Sequence, residues 1–282
     1  MTATQFPNGK RIAVLVSVLL ESWTEGKSPT YFPRTTPLKP GVVDFAGAQW
    51  SQYGGKEGIW RILRVLERAQ VTGTVFANAL SAQLYPDAIR AIVARDHDIA
   101  AHGFAQDRYL CDLAAPEQQA HIRQCLDIIE AAAGKRPQGG ASPVYSFTAD
   151  TVELLVREGV RWHAEALDLS MPSLQQTASG SIVALPWSEF VDNRVLRASP
   201  RDYYDVYKDS FDYLRDAEPM GLLHLAVHSH FGGRPLIAAQ LEKLLRYFAG
   251  FPDAWIVRHG DLVEWFLAEP RGDLSYAARF FA

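Results

Sequence analysis

The chain has 282 residues, 48% of them hydrophobic, enough length and apolar content for one α/β barrel with a large core. Lys and Arg total 28 against 32 Asp and Glu, so the formal net charge is −4. That mild acidity gives no reason to expect nucleic acid or an anionic membrane surface as a partner.

Cys111 and Cys125 are the only cysteines and form neither a disulfide framework nor a CxxC pair, which favours a reducing compartment. The N-terminus MTATQFPNGKR lacks the apolar region of a signal peptide. The run IAVLVSVLL ends at Glu21 after nine residues, far short of the roughly 20 that span a bilayer. The expectation is a soluble, cytoplasmic protein.

IAVLVSVLL (12–20) is apolar and rich in β-branched residues, the pattern of a strand buried on both faces. Residues 22–56 are rich in Pro, Gly, Thr and Ser and show little periodicity, so they read as a long loop that covers a site or an interface. In GIWRILRVLERAQ, Ile59, Ile62, Leu63 and Leu66 fall on one helical face. TGTVFANAL (72–80) reads as a strand, PDAIRAIVARD (86–96) as a helix opened by Pro86, and HDIAAH (97–102) as a strand.

APEQQAHIRQCLDIIEAAAG is a helix with Ile122, Cys125, Leu126 and Ile129 on one stripe and Gly134 as its stop. The alternation continues with a helix at 148–159, strands at 160–167 and 181–186, a helix at 202–217 and a strand at 221–230. A helix at 238–250, a strand at 254–259 and a helix at 261–268 complete it. Strands alternating with helices predict a parallel sheet, closed or nearly closed into a barrel, and no linker or repeat divides the 282 residues into two domains.

In such folds reactive groups gather at the C-terminal ends of strands. Glu21 ends the first strand, and a carboxylate there is costly unless paired, solvated or metal-bound. His102 ends the 97–102 strand, with Gly103 after it to allow an unusual turn. The strand at 221–230 ends in HSHFGGRP. Its His228 and His230 are two apart, hence on one face, and could supply a general acid, while Arg234 binds a substrate carboxylate or holds the loop. His224, lower on that face, reads as a buried structural residue. His102 and Asp107 could share a site, but the position four after His102 is Gln106, so the HxxxH spacing of a secure zinc site is missing.

The order of Glu21, YGGKEGIWRIL, TGTVFANAL, HDIAAHGF, GKRPQGGASP, LPW and HSHFGGRP resembles the polysaccharide deacetylase (NodB-homology) superfamily over roughly residues 7–268. More narrowly, it is similar to the branch with allantoinases and cyclic-imide hydrolases. The resemblance implies an α/β fold, a distorted, incomplete (β/α) barrel of the NodB-homology type, and hydrolysis of a non-peptide C–N bond.

The family's general-base aspartate falls on Leu19 and its metal-binding acid on Glu21. Its first metal histidine falls on His102, and Gln106 replaces the second. The tryptophan and arginine of its G-W-R-S-P motif fall on Gly140 and Ala141. The late catalytic histidine matches His228, and Arg234 and Pro235 match the G-R-P that follows it.

Two functions stay open. The first is a hydrolase of a small amide, cyclic imide or ureide. Its catalytic residues are Glu21, His102 and His228, and its substrate contacts are His230, Arg234 and Trp23. A divalent ion such as zinc on Glu21, His102 and Gln106 is one version. A metal-independent site with Glu21 as general base is the other. The second function is a catalytically inactive barrel that binds a ligand or a protein. The branch resemblance also implies a homo-oligomer acting on a small-molecule substrate, with Trp23, Tyr31, Phe32 and Phe45 of the long loop closing over it or packing against another subunit.

Overall fold

The structure is a computed structural model that describes residues 5–188, 190–269 and 272–281. Nine strands form one sheet: β1 (Ile12–Leu20), β2 (Thr74–Ala77), β3 (Asp98–Ala101), β4 (Gly139–Gly140), β5 (Trp162–Ala166), β6 (Ser173–Thr177), β7 (Gly180–Pro186), β8 (Gly221–His228) and β9 (Ala254–Val257). Their order is β6-β7-β5-β4-β3-β2-β1-β8, with β9 also against β1. All neighbours are parallel except the β6–β7 hairpin.

The path runs from β6 to β8, and among the described residues no pairing joins these ends, so the barrel is incomplete. β8 pairs along nearly all of β1, whereas β9 takes residues 12–15 of it and β2 takes residues 17–20. This triple pairing makes β1 the spine of the fold, and its nine residues are all buried.

Alternation along β1 sorts its side chains to two cores. Ile12, Val14, Val16, Val18 and Leu20 join the helices outside, including Ile59, Ile62, Leu66, Phe211 and Leu244. Ala13, Leu15 and Leu19 face the interior with Phe76, Trp162 and Leu185. Ser17 also faces inward, where its hydroxyl meets His224 Nε2 at 2.5 Å and His259 Nε2 at 3.3 Å. His224 is thus a buried interior residue, with Nδ1 3.0 Å from the Pro186 carbonyl.

Several element boundaries depart from the sequence pattern. Residues 45–56 of the expected loop are helical: α1 (Phe45–Tyr53) runs through a π-helical segment, Gly54–Gly58, into α2 (Ile59–Ala69). The pattern hid this helix because glycines stand where apolar periodicity would show. They are there for close approach. A Cβ on Gly58 would lie 1.9 Å from the Ser229 carbonyl oxygen, and one on Gly233 would lie 2.3 Å from Gly58 Cα.

The 72–80 strand ends at Ala77, and Ala79–Leu84 is a short helix. The 221–230 strand ends at His228, and Ser229–Gly232 form a helical turn. His228 and His230 therefore do not share a strand face. β4 and β6 went unseen, β4 because it is only two glycines long and β6 because its polar sequence SLQQT has no apolar alternation.

Gly58→Ala is expected to destabilise the fold by about 2 kcal/mol or more, because the clash is with backbone rather than a movable side chain. Gly272→Ala, where nothing lies within 4 Å, is expected to be neutral. Chemical denaturation of both variants checks this.

Burial also lowers the pKa of His97 and of His224 to about 4 each. Unfolded histidines near 6.5 bind protons that these native ones refuse, so stability is expected to fall as pH drops from about 6.5 towards 4. Melting temperatures across that range, with His97→Gln flattening the curve, check the sign.

Candidate active site

The C-terminal ends of the strands converge on Glu21. It follows β1 directly, is only 2% exposed, and is surrounded by three imidazoles. Its Oε1 lies 3.5 Å from His102 Nε2 and 3.7 Å from His228 Nε2, and its Oε2 lies 3.9 Å from His230 Nδ1. The sequence candidates Glu21, His102, His228 and His230 are therefore brought together, although His230 arrives on a helical turn rather than a strand.

Asn78, buried just after β2, ties two walls of this site. Its Oδ1 accepts from the Ser22 N–H at 2.9 Å, and its amide donates to the His102 carbonyl. His102 Nδ1 lies 2.9 Å from the Ala141 carbonyl. A carbonyl only accepts, so Nδ1 carries the proton of this contact, and Nε2 is the nitrogen that faces Glu21. Ala141 thus contributes to the site through its backbone. Ser142 next to it donates both N–H and hydroxyl to Glu165, which β5 holds buried.

His228 has the strongest partner. Asp192, fully buried, accepts from His228 Nδ1 at 2.5 Å and from its backbone N–H at 3.0 Å. The segment carrying Asp192 is fixed by a parallel bridge between Val191 and Ala226 of β8. Burial alone would depress His228, but Glu21 and Asp192 raise it to about 9. Burial alone would likewise raise Glu21, yet His228, followed by His102 and His230, brings it down to about 2. His230 is depressed to about 3 by burial and by His228, against the pull of Glu21. At neutral pH the centre is therefore a carboxylate, an imidazolium and a neutral imidazole.

Glu21 Oε2, His102 Nε2, Gln106 Oε1 and His230 Nδ1 are all buried without a hydrogen-bond partner. Groups left so are where a ligand, water or cation is accommodated. Glu21, His102, Gln106 and His228 border a cavity of about 410 Å³, together with Leu19, Tyr31, Ala141, Trp187 and Arg194. Val144 and Tyr145 form part of its rim and both hold positive φ, 48° and 57°. That region is costly for a β-branched residue such as Val144 and tends to cluster at functional sites.

The long loop closes over this centre. The Tyr31 hydroxyl meets His230 Nε2 at 2.9 Å, and burial beside Glu21 and Asp192 pushes the phenol well up. Trp23 stands edge-on to His230 at 5.4 Å and borders an adjacent cavity rather than the one holding His228.

Arg234 also lies elsewhere. It donates to the carbonyls of His230 and Trp50 and stacks over Tyr53 at 4.1 Å, so it holds the loop. Asp107 accepts from the Thr24 backbone at 2.8 Å and from its hydroxyl at 2.5 Å, which turns it away from His102. Asp192, Asn78, Glu165 and Arg194 were missed, because an isolated polar residue in an aperiodic stretch carries no local signal.

Residues 51–163 match the polysaccharide deacetylase family. The chain is polysaccharide deacetylase-like, of the kind that hydrolyses C–N bonds. It is 21% identical over 232 residues to a peptidoglycan deacetylase of Helicobacter pylori, covering 69% of this chain and 78% of that protein. The structure of a probable polysaccharide deacetylase from Pseudomonas aeruginosa PAO1 superposes with a TM-score of 0.83 at 25% identity, over 95% of each chain. The Puue allantoinase structure superposes with a TM-score of 0.84 at 24% identity, over 95% of this chain and 94% of that one.

The family match takes in His102 but neither Glu21 nor His228, so the catalytic reading of this deacetylase-like chain rests on the geometry above. No helix among the described residues is long and apolar enough to cross a membrane.

Asp192→Asn is expected to lower the pKa of His228, since one of its two stabilising carboxylates is lost. Imidazole NMR titration of wild type and variant, both stripped with chelator, checks the direction.

Proposed function

We propose that the chain hydrolyses a non-peptide C–N bond of a small molecule: an amide, or a cyclic amide, imide or ureide. The observation that carries this reading is the Glu21–His228–Asp192 array at the floor of the cavity. A protonated imidazole is held there between two carboxylates, with its Nε2 side facing Glu21. Breaking a C–N bond requires a proton for the leaving nitrogen. His228 is set to give it, because Asp192 keeps Nδ1 protonated and fixes the ring.

Glu21, an anion, takes the proton of the attacking water as the C–O bond forms, and returns it to His228 Nε2 after that nitrogen has protonated the leaving group and the C–N bond has broken. The imidazolium of His228 offsets the negative charge that develops on the carbonyl oxygen. Tyr31 holds the loop across His230, which limits entry of bulk water. A cavity of about 410 Å³ with Leu19, Tyr31 and Trp187 among its walls suits a compact substrate better than a long glycan.

Among the described residues no three His, Cys, Asp or Glu side chains group as a metal site. The candidate donors are Glu21 Oε2, His102 Nε2 and Gln106 Oε1, which border the same cavity and are each buried without a hydrogen-bond partner. These would hold a divalent ion such as zinc, which when bound lowers the pKa of water and polarises a carbonyl.

Glu21→Gln and His228→Ala are each expected to reduce turnover of a susceptible imide or ureide by at least about 10²-fold while the melting temperature stays within a few degrees. Retained turnover in either variant removes that residue from the mechanism. An intact wild type that turns over no member of a broad C–N panel, yet is stabilised by a metabolite, favours the inactive binder instead.

Mass spectrometry of the purified protein is expected to find about one divalent ion per chain, lost in His102→Ala. No ion in either protein would leave the chemistry to Glu21 and the histidines alone.

A further inference from the structure

Arg194 belongs to a short 3₁₀ turn, Asp192–Val195, whose two ends are tied down. Asp192 is locked onto His228, and Val195 is buried in the outer core. The Arg194 backbone is thereby fixed two residues from the partner of the acid, while its side chain is exposed at the edge of the Glu21–His228 cavity. Among the described residues its guanidinium makes no hydrogen bond, ion pair or ring contact, unlike Arg234, whose donors go to the carbonyls of His230 and Trp50.

The charges around the cavity give this arginine a role. Glu21 and Asp192 are negative and His228 is positive, so without Arg194 the centre carries one net negative charge and repels anions. Arg194 brings the balance to zero and puts the added positive charge at the mouth rather than at the floor. Val144 and Tyr145, which border the same cavity, are held at positive φ and present an apolar and an aromatic side chain, 56% and 44% exposed. A slot with apolar and aromatic walls, an acid at its base and one unpaired planar cation at its mouth matches a flat molecule with an anionic group at the end away from the scissile bond.

We propose that Arg194 is a specificity-determining residue that binds a carboxylate on the substrate, so that the preferred substrates are small amides, imides or ureides bearing a free carboxylate. This rests on the hydrolase reading only for the word substrate, since the recognition itself is an equilibrium property.

The probes are hydantoin-5-acetate, phthalimide-4-carboxylate and 4-acetamidobenzoate, each beside its methyl ester. Binding is measured by calorimetry and thermal shift on the wild type and on Glu21→Gln, and turnover is measured on the wild type. At least one acid is expected to bind about 10- to 100-fold more tightly than its ester, the range of a charge-assisted hydrogen-bonded pair. Arg194→Ala should remove that preference without changing affinity for the ester, and Arg194→Lys should retain part of it.

The proposal is overturned if no acid of the three is preferred, or if Arg194→Ala weakens acid and ester equally. An Arg194-dependent preference with no turnover of any probe sustains the recognition and counts against the hydrolase reading. Turnover of acids and esters alike does the reverse.

Discussion

A carboxylate buried at the end of an all-apolar strand is the constraint around which this structure is arranged. Glu21 is 2% exposed, and an isolated anion in such a place would take up a proton rather than stay charged. It stays ionised because His228 stands 3.7 Å away as a cation, and His228 stays a cation because Asp192 backs it at 2.5 Å. Without His228 the two buried carboxylates would have no cation between them, and one of them would then be driven to take up a proton. The array is therefore cooperative: its charge state belongs to the three groups together rather than to any one of them.

The fold supplies this array through backbone proximity. Glu21 and His228 are brought side by side because β1 and β8 pair in parallel register, Leu19 opposite His228. The turn after β8 can then rise only where the neighbouring helix lets it. The glycines of the GGKEG segment allow the backbone around Gly58 to touch that of Ser229 and Gly233, which seats His230 against Glu21. Trp50, on the helix just before those glycines, lies 4.9 Å from the His230 ring, and Tyr31 bonds its far nitrogen. A stretch that looks like linker by composition is thus what orients the third imidazole.

Much of this was legible in the sequence, and the exceptions follow a rule. β1, the helix around Ile59–Leu66 and the helix ended by Gly134 each carry periodic apolar signals or a clear stop, and each is present. Glu21, His102 and His228 announce themselves because a polar residue closing an apolar strand has few places to go. What stayed hidden was whatever depends on contact distant in sequence. Asp192 lies 36 residues from His228. Glycine hid α1 for the opposite reason, since the residue that permits helix-to-turn contact is the one that erases helical periodicity. The same economy explains β4: a Cβ at Gly140 would lie 2.3 Å from the Ala101 carbonyl oxygen, so this short strand can pair with β3 only as glycine.

Charge around the cavity is divided between its floor and its edge. Leu19, apolar, borders the cavity two residues before Glu21 and adds no charge to a floor that holds two carboxylates, Glu21 and Asp192, against the one imidazolium of His228. Ala141 likewise adds no charge, and its carbonyl holds His102 Nδ1. Arg194 lies at the rim, exposed and, among the described residues, without a partner. Its positive charge therefore stands at the entrance rather than at the floor. A floor of this kind handles one proton on one nitrogen, and what distinguishes one substrate from another is left to the mouth.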